Sequence, residues 1–594
     1  MLLDEIAAWG VLPLAFPLLV FCAQRASWLV FPEGDRPGRV AAAATFAMVL
    51  VHASVGVLGE VGLLSRTTLL GALLITAAAL AVATRGLHPD RLLHAAWTDA
   101  PVASVLTSAV VLVVMITARL LPIWQWDAYG YHLPFVNFVL QHRGFAEVPA
   151  DLHYISTYPH NIELGMIWLR AMLPDDRLVD LAQVPYGVAG ALLTAAVARR
   201  LGAQRGWSLL AGASWLTLPA VFLQLPTDYV DVGTAAALLA AVFFLVLSPS
   251  TARHLVVGGL ALGLFLGSKP SAPLAAVFLG AVALVRGWRA GQLRAVFASS
   301  VLAVIFGAQM YVVMWLRHGN PVWPVTVRLG PLTLPGESSV ESLLAAGAAL
   351  PHATGSLLER LSVSWLAIDT LPVFDMKLGG LGVLFLVALP LAVLGLVRRR
   401  ALPLVLALVA TLLSPDPSIA RYVLAFPALV LALAAAEVGR APRRGAMGAV
   451  LALSLVQLHH AWPGLVGDGP DWSSFVALDD AQRRVALGPY GPPTDYPPAW
   501  ERVERGESVA FDPDFEFPGL LWSPDLRYPV YAVPRRPSKA QLSRWLEDHH
   551  VRVFAAGERN RALLEAQPGT WERLFECKSA PCAVYVRRDA LARE

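Results

Sequence analysis

Apolar runs long enough to cross a bilayer recur through most of the chain between residues 8 and 461. A helix needs roughly 17–25 apolar residues to span the hydrocarbon, and about fourteen stretches approach that length, some of them short. They lie near 8–31, 41–63, 67–84, 101–118, 179–198, 206–223, 231–248, 254–268, 271–286, 295–316, 378–397, 401–414, 420–438 and 445–461. Composition agrees, since 56% of the 594 residues are hydrophobic and 15% are charged, where soluble domains carry roughly 25% charged residues. The reading is an all-α polytopic membrane bundle. The first run follows Asp4 and Glu5 rather than basic residues, so it reads as a retained helix and not as a signal peptide.

Charge placement gives an orientation. Basic residues gather in alternate loops, among them Arg36 and Arg39, Arg199 and Arg200, Arg286 and Arg289, and Arg398 to Arg400. Positive loops face the cytoplasm, so the count puts these on that side and both termini outside. The outer side then receives the loop 119–178, the turn 226–231, the segment 317–377 and everything from about residue 463. Long loops held by a rigid bundle are where chemistry is usually placed.

The pattern changes after residue 463. Pro, Gly and Asp dominate to residue 498, which reads as a linker or irregular cover. Strand signals follow at Ser508–Phe511, Pro529–Val533 and Val551–Ala556. Helical periods lie at Ser538–His549 and Asn560–Ala566, and Trp571–Arg587 reads as a hairpin. The expectation is a small C-terminal α/β extracytoplasmic domain. The domain boundaries are 1–100 for extra N-terminal membrane helices, 101–462 for the main membrane module and 463–594 for the C-terminal domain. Cys577 and Cys582 flank a short turn there, and an oxidising compartment permits a disulfide between them. Cys22 lies inside the first run and reads as a small apolar residue.

Several residues on the outer side carry candidate chemistry. Asp127 follows an apolar helix in Trp126-Asp127-Ala128-Tyr129-Gly130-Tyr131-His132. A carboxylate near hydrocarbon is costly unless it is paired, hydrated or used, so Asp127 is the leading candidate for a general base. Pairing with Arg119 or capping the next turn is the plainer alternative. Pro134 suits the first turn of an amphipathic helix over Phe135–Arg143, stopped by Gly144, with its apolar face on the membrane surface. A second interfacial helix is expected after Pro159, carrying Glu163 and Trp168. Asp228 and Asp231 share one face if helical, and Thr227 or Asp228 is a natural cap. Lys269 lies on a tight outer hairpin and suits a phosphate ligand, or snorkels to headgroups. Arg421 can grip a phosphate with two hydrogen bonds, or pair with Asp416. His-Glu-x-x-His, phosphate-loop and Gly-x-Ser-x-Gly motifs are absent.

Taken in order, these segments resemble the polytopic GT-C glycosyltransferases, especially bacterial relatives of protein O-mannosyltransferases and of the lipid A aminoarabinose transferase. The likeness rests on Trp126-Asp127 to Gly144, on Tyr158-Pro159-His160-Asn161-Ile162-Glu163-Leu164 and on Thr227-Asp228-Tyr229-Val230-Asp231. It continues through Gly263 to Pro270, Gly319-Asn320-Pro321-Val322-Trp323-Pro324 and Arg421-Tyr422. The resemblance implies a GT-C-like bundle that transfers a sugar, with inversion, from a polyprenyl-phosphate donor to a lipid, glycan or protein acceptor at the outer face of the bacterial inner membrane. It would make Asp127 the catalytic acid–base residue or a metal ligand, and would put the lipid phosphate on Lys269 and Arg421. With the candidates read from the residues themselves, the expected site has Asp127 and Asp228 as catalytic and His132, Asp231, Lys269, Arg421, Tyr131 and Glu163 as substrate-binding.

Many relatives carry a second acidic residue beside the first Asp, where Ala128 and Tyr129 stand here. A divalent metal is therefore not favoured, and no cofactor is required. Partners are the lipid-linked donor, a hydroxyl or phosphate acceptor and membrane lipids, with no nucleic acid. Trp124, Trp126, Tyr129 and Tyr131 are candidates to pack on sugar or carrier. The rival readings are a secondary transporter or lipid flippase, a polysaccharide ligase or polymerase, and a non-catalytic scaffold.

Overall fold

The computed structural model describes residues 9–31, 34–87, 100–146, 148–149, 154–339, 355–372, 380–438, 444–466, 471–487, 499–534, 537–567, 569–576 and 582–588. Among them, eight helices are long and apolar enough to cross a membrane: Leu12–Val30, Arg36–Glu60, Arg66–Ala83, Pro101–Leu120, Val179–Arg200, Ala272–Arg289, Gly382–Arg399 and Gly445–Val466. Leu293–Gly307 and Gln309–His318, bent by 66° at their junction, make a ninth if taken as one span.

The other expected runs fold as shorter helices: Arg205–Leu216, Asp231–Leu247, Ala252–Leu266, Leu402–Leu412 and Ala425–Glu437. Two of these are apolar for a different reason. Every residue from Ala235 to Val246, and from Ala425 to Ala435, is buried in protein. An all-round apolar helix is the signature of a bundle centre as well as of a lipid-facing span. The contrast with Arg66–Ala83 is large, because only 17% of that span is buried.

Local chemistry sets the helix starts. Asp35 accepts from Gly38 N at 3.0 Å and Pro37 fills the first turn of Arg36–Glu60, satisfying an amide that the helix leaves open. Ser65 and Thr68 form a reciprocal cap for Arg66–Ala83. The basic loops meet at one end of the bundle. Arg200 and His254 reach Asp35 at 2.7 and 3.0 Å, while Arg399 pairs with Glu437 at 2.6 Å and donates to Leu201 O at 2.8 Å. Alternate loops therefore do share one end, as the charge pattern predicts.

The opposite end carries a small hairpin of β1 (Val327–Leu329) and β2 (Leu332–Leu334) and the C-terminal domain. That domain is a five-stranded sheet of β3 (Ser508–Phe511), β4 (Val530–Ala532), β5 (Val551–Ala556), β6 (Trp571–Glu576) and β7 (Ala583–Arg587), in the order β4-β3-β5-β7-β6. The first three strands pair in parallel, and β7 pairs antiparallel with β5 and β6. Helix Lys539–Asp548 starts on a Ser538 capping box and supplies the parallel crossover to β5. Cys582 is disulfide-bonded. Cys577 lies outside the described residues.

Two helices expected on the membrane surface are inside the protein. Leu133–His142 has Pro134 in its first turn, but Phe135, Val136, Phe138 and Val139 are all buried. It ends at Arg143, which takes the left-handed conformation (φ 55°) instead of Gly144. Asn161–Met172 is buried at every position. An apolar face alone does not tell lipid from a protein neighbour, and here neighbouring protein covers both helices.

Candidate active site

Asp127 opens a single π-helical turn, Ala128–His132, that runs directly into Leu133–His142. Such turns gather at functional sites because the extra residue re-aims the side chains around it. The carboxylate is 21% exposed and lies 3.7 Å from Arg421 Nη1. The same Nη1 lies 3.5 Å from Asp231 Oδ2, and Asp231 Oδ1 accepts from Lys269 Nζ at 2.5 Å. Four ionisable groups from four separate segments thus form one alternating chain of charge. Among the pairings open to Arg421, Asp416 is taken by Arg360 at 2.6 Å.

Each cation is placed by its surroundings. Arg421 sits on a short turn, Ala420–Val423, before Ala425–Glu437. Its guanidinium lies 4.9 Å from the Tyr229 ring and 5.2 Å from the Tyr422 ring, and Lys269 Nζ lies 4.3 Å from the Tyr422 ring. Aromatic faces stabilise cations without neutralising them. Lys269 follows Ala252–Leu266 on a hairpin that Asn161 pins. Asn161 N donates to Gly267 O at 2.8 Å, and its side-chain amide donates to Gly263 O at 3.1 Å and Phe306 O at 2.8 Å. A Cβ at Gly267 would stand 2.3 Å from Asn161 Nδ2, so this close approach requires glycine.

Asp228 and Asp231 do not share a face. Asp231 begins the helix, its cap is Val230 with no side-chain bond, and Asp228 precedes it in irregular backbone. Thr227 donates to Gln224 O at 2.8 Å. Asp228 is wholly buried and adjoins the equally buried Asp180. Burial pushes the Asp228 carboxyl up from the usual carboxylate range. Asp180 was not among the residues expected from the sequence. Its signal was there, a carboxylate at the head of an apolar run in Leu178-Val179-Asp180-Leu181.

His132 and Glu163 form the wall behind the turn. His132 Nδ1 donates to Glu163 Oε1 at 2.9 Å, and His160 Nδ1 lies 3.5 Å from the same oxygen. His160 also stacks on Phe135 with ring centroids 3.7 Å apart, and it borders a cavity of about 180 Å³ shared with Asn161, Gln309 and Arg317. Burial would raise the Glu163 carboxyl, but His132 and His160 hold it down to about 2. A depressed carboxyl stabilises the fold fully above its unfolded value, here 4.5. That stability is lost as pH falls through the folded value. Acid titration of the detergent-solubilised chain, followed by tryptophan fluorescence, is expected to show wild type losing stability between those limits. Glu163→Gln should lose less over the same interval and be destabilised at pH 7 by about 3–5 kcal/mol.

The aromatic candidates divide. Trp124 and Tyr129 are buried, and the half-buried Trp126 packs edge-on against Phe517 at 5.8 Å. Tyr131 stays beside the site, its ring 6.0 and 6.1 Å from Tyr154 and Tyr158. The C-terminal domain roofs this turn. Gly519 faces Tyr129, where a Cβ would lie 2.7 Å from the Tyr129 carbonyl oxygen. Gln141 pairs with both backbone groups of Val530, at 3.0 and 2.9 Å, and accepts from Trp522 Nε1 at 3.0 Å. The outer edge of β4 is thereby paired at Val530 by a side chain of the membrane module.

Among the described residues, no group of three or more His, Cys, Asp or Glu side chains is placed to hold a metal ion. Asp231, the best-buried carboxylate of the ion chain, is engaged by Lys269 and Arg421. The arrangement can stabilise an anion through its cations and accept a proton through its most open carboxylate.

No family model and no curated protein matches this chain. Among solved structures it is similar to ArnT from Cupriavidus metallidurans in the apo state, with 12% identity and a TM-score of 0.47, over 82% of this chain and 98% of that one. The same enzyme bound to undecaprenyl phosphate gives 14% identity and a TM-score of 0.46 over the same shares. The apo form of an Archaeoglobus fulgidus oligosaccharyltransferase gives 12% identity and a TM-score of 0.35, over 81% of this chain and 74% of that one.

Proposed function

We propose that this chain is a membrane glycosyltransferase of the inner membrane. It moves a sugar from a polyprenyl-phosphate donor to a hydroxyl or phosphate acceptor at the outer face, with inversion at the anomeric carbon. The observation that carries the reading is the Asp127–Arg421–Asp231–Lys269 chain. Departure of a lipid phosphate leaves negative charge on its oxygen, which fixed cations stabilise in the transition state. Lys269 and Arg421 supply those cations, and Asp231 holds both in place. Asp127, the most open of the four, takes the proton of an acceptor hydroxyl or positions an acceptor that needs no base. The turn carrying it is backed by His132 and Glu163 and roofed by the C-terminal domain. The activated sugar arrives on its lipid, so no nucleotide site is required.

The test is release of carrier. Full-length chain in proteoliposomes is supplied with polyprenyl-phosphate-linked sugars extracted from bacterial membranes, and free undecaprenyl phosphate is measured. Lys269→Ala and Arg421→Ala are each expected to lower release by about 10²-fold or more. Release at the wild-type rate in both variants would sink the reading. Solute or lipid translocation without any release would favour a transporter.

A further inference from the structure

We infer that Arg421 latches Asp127 in the empty site, and that the donor phosphate opens the latch, so that the lipid-linked donor must bind before Asp127 can serve the acceptor. This rests on the reading that Lys269 and Arg421 hold the donor phosphate.

The latch follows from where the carboxylates sit. Asp127 and Asp231 approach the same guanidinium nitrogen, Nη1, at 3.7 and 3.5 Å. Two cations therefore face two carboxylates, and the set is balanced before any substrate arrives. An anion that comes to Nη1 is opposed by both carboxylates, and one must give way. Asp231 is the fixed one, because it is 1% exposed and also bound to Lys269 at 2.5 Å. Asp127 is the loose one. It is 21% exposed, and its 3.7 Å approach lies beyond ordinary hydrogen-bond length. Tyr229 and Tyr422 keep their ring faces near Arg421 whichever anion it holds, so the guanidinium stays in place while Asp127 leaves.

The cycle then balances. Donor phosphate takes Arg421, and the freed Asp127 carboxylate accepts the proton of the acceptor hydroxyl. The acceptor oxygen bonds to the anomeric carbon as the bond from that carbon to the phosphate oxygen breaks, and its electron pair goes to the departing phosphate. The product phosphate carries more charge than the donor, while Asp127 is now neutral and does not compete for Arg421. Loss of the Asp127 proton to water restores its charge, returns it to Arg421 and helps expel the carrier.

The test is the affinity of the full-length chain in lipid nanodiscs for undecaprenyl phosphate alone. A carboxylate that competes with the ligand for Arg421 weakens binding, so Asp127→Asn is expected to bind about three- to tenfold tighter than wild type. Asp127→Ala should move affinity in the same direction. Arg421→Ala should weaken binding by about tenfold or more. In that background Asp127→Asn should change affinity much less than it does in wild type, since the partner they compete for is gone. If Arg421→Ala weakens binding but Asp127→Asn leaves it unchanged or weaker, the latch is wrong and the donor site stands. If Arg421→Ala binds as well as wild type, the donor-site reading itself fails, and the latch with it.

Discussion

Asp127→Asn is expected to slow sugar transfer by about 10²–10⁴-fold, the range in which a positioned acid–base group contributes. Asparagine keeps the size of aspartate and loses only its charge, so the π-helical turn should survive. Arg421 keeps Asp231 as a partner at 3.5 Å, so no cation is stranded by the change. The loss should therefore fall on turnover, with donor KM unchanged or lower. The measurement is the initial rate of transfer from undecaprenyl-phosphate-linked sugar, with the melting temperature recorded beside it. Acceptor chemistry separates the two roles of Asp127. With a hydroxyl acceptor the loss is in kcat, because the proton has no destination. With a phosphate acceptor no proton need move, and the loss should fall mainly on acceptor KM. Wild-type rates with both kinds of acceptor would remove Asp127 from the reaction.

What was legible in the sequence tracks how local its cause is. The C-terminal strands and helices stand close to where short apolar runs and the Ser538 start place them, because those signals act over a few residues. The hairpin carrying Lys269 was marked by Gly267-Ser268-Lys269-Pro270, but the short runs beside it made it the weakest pair to read. Tertiary choices were not legible. Asp228 and Asp231 are three residues apart, yet one turns to Asp180 and the other to Lys269 and Arg421. Helical spacing put them on one face only if a helix began before Asp228, and it begins at Asp231. The apolar faces of Leu133–His142 and Asn161–Met172 suit lipid and protein equally, and only the folded chain decides between them. Tyr229 flanks Arg421 from a segment far away in sequence, and spacing cannot report such a contact. Asp127 itself was legible because a charge beside hydrocarbon is conspicuous whatever its partners.

The same long-range packing makes a glycine far from Asp127 in sequence important to its position, and Gly519→Val tests this. Gly519 lies in the turn Pro518–Leu521 of the C-terminal domain, and a Cβ there would meet Tyr129 O at 2.7 Å, Tyr129 Cα at 3.0 Å and Pro134 Cδ at 3.2 Å. Two of these atoms are backbone of the turn that carries Asp127, so they cannot rotate away as a side-chain tip would. Either the roof lifts or the turn shifts. Overpacking of this kind costs about 1–3 kcal/mol, and a displacement near 1 Å at a reacting group lowers rate by about 10²-fold. Gly519→Val is therefore expected to lower kcat by about 10–100-fold and to change donor affinity little, since Lys269 and Arg421 stand on other segments. The domain's own sheet should persist, because Gly519 is outside its strands. Gly569→Ala is the matched control, as no atom lies within 4 Å of a Cβ added there, and its activity should equal that of wild type. If Gly519→Val keeps wild-type kcat while Gly569→Ala does the same, the C-terminal domain is a cover that does not set the position of Asp127. If Gly519→Val lowers kcat and donor affinity together, the roof supports the cation pair as well, and the turn is not the part it holds.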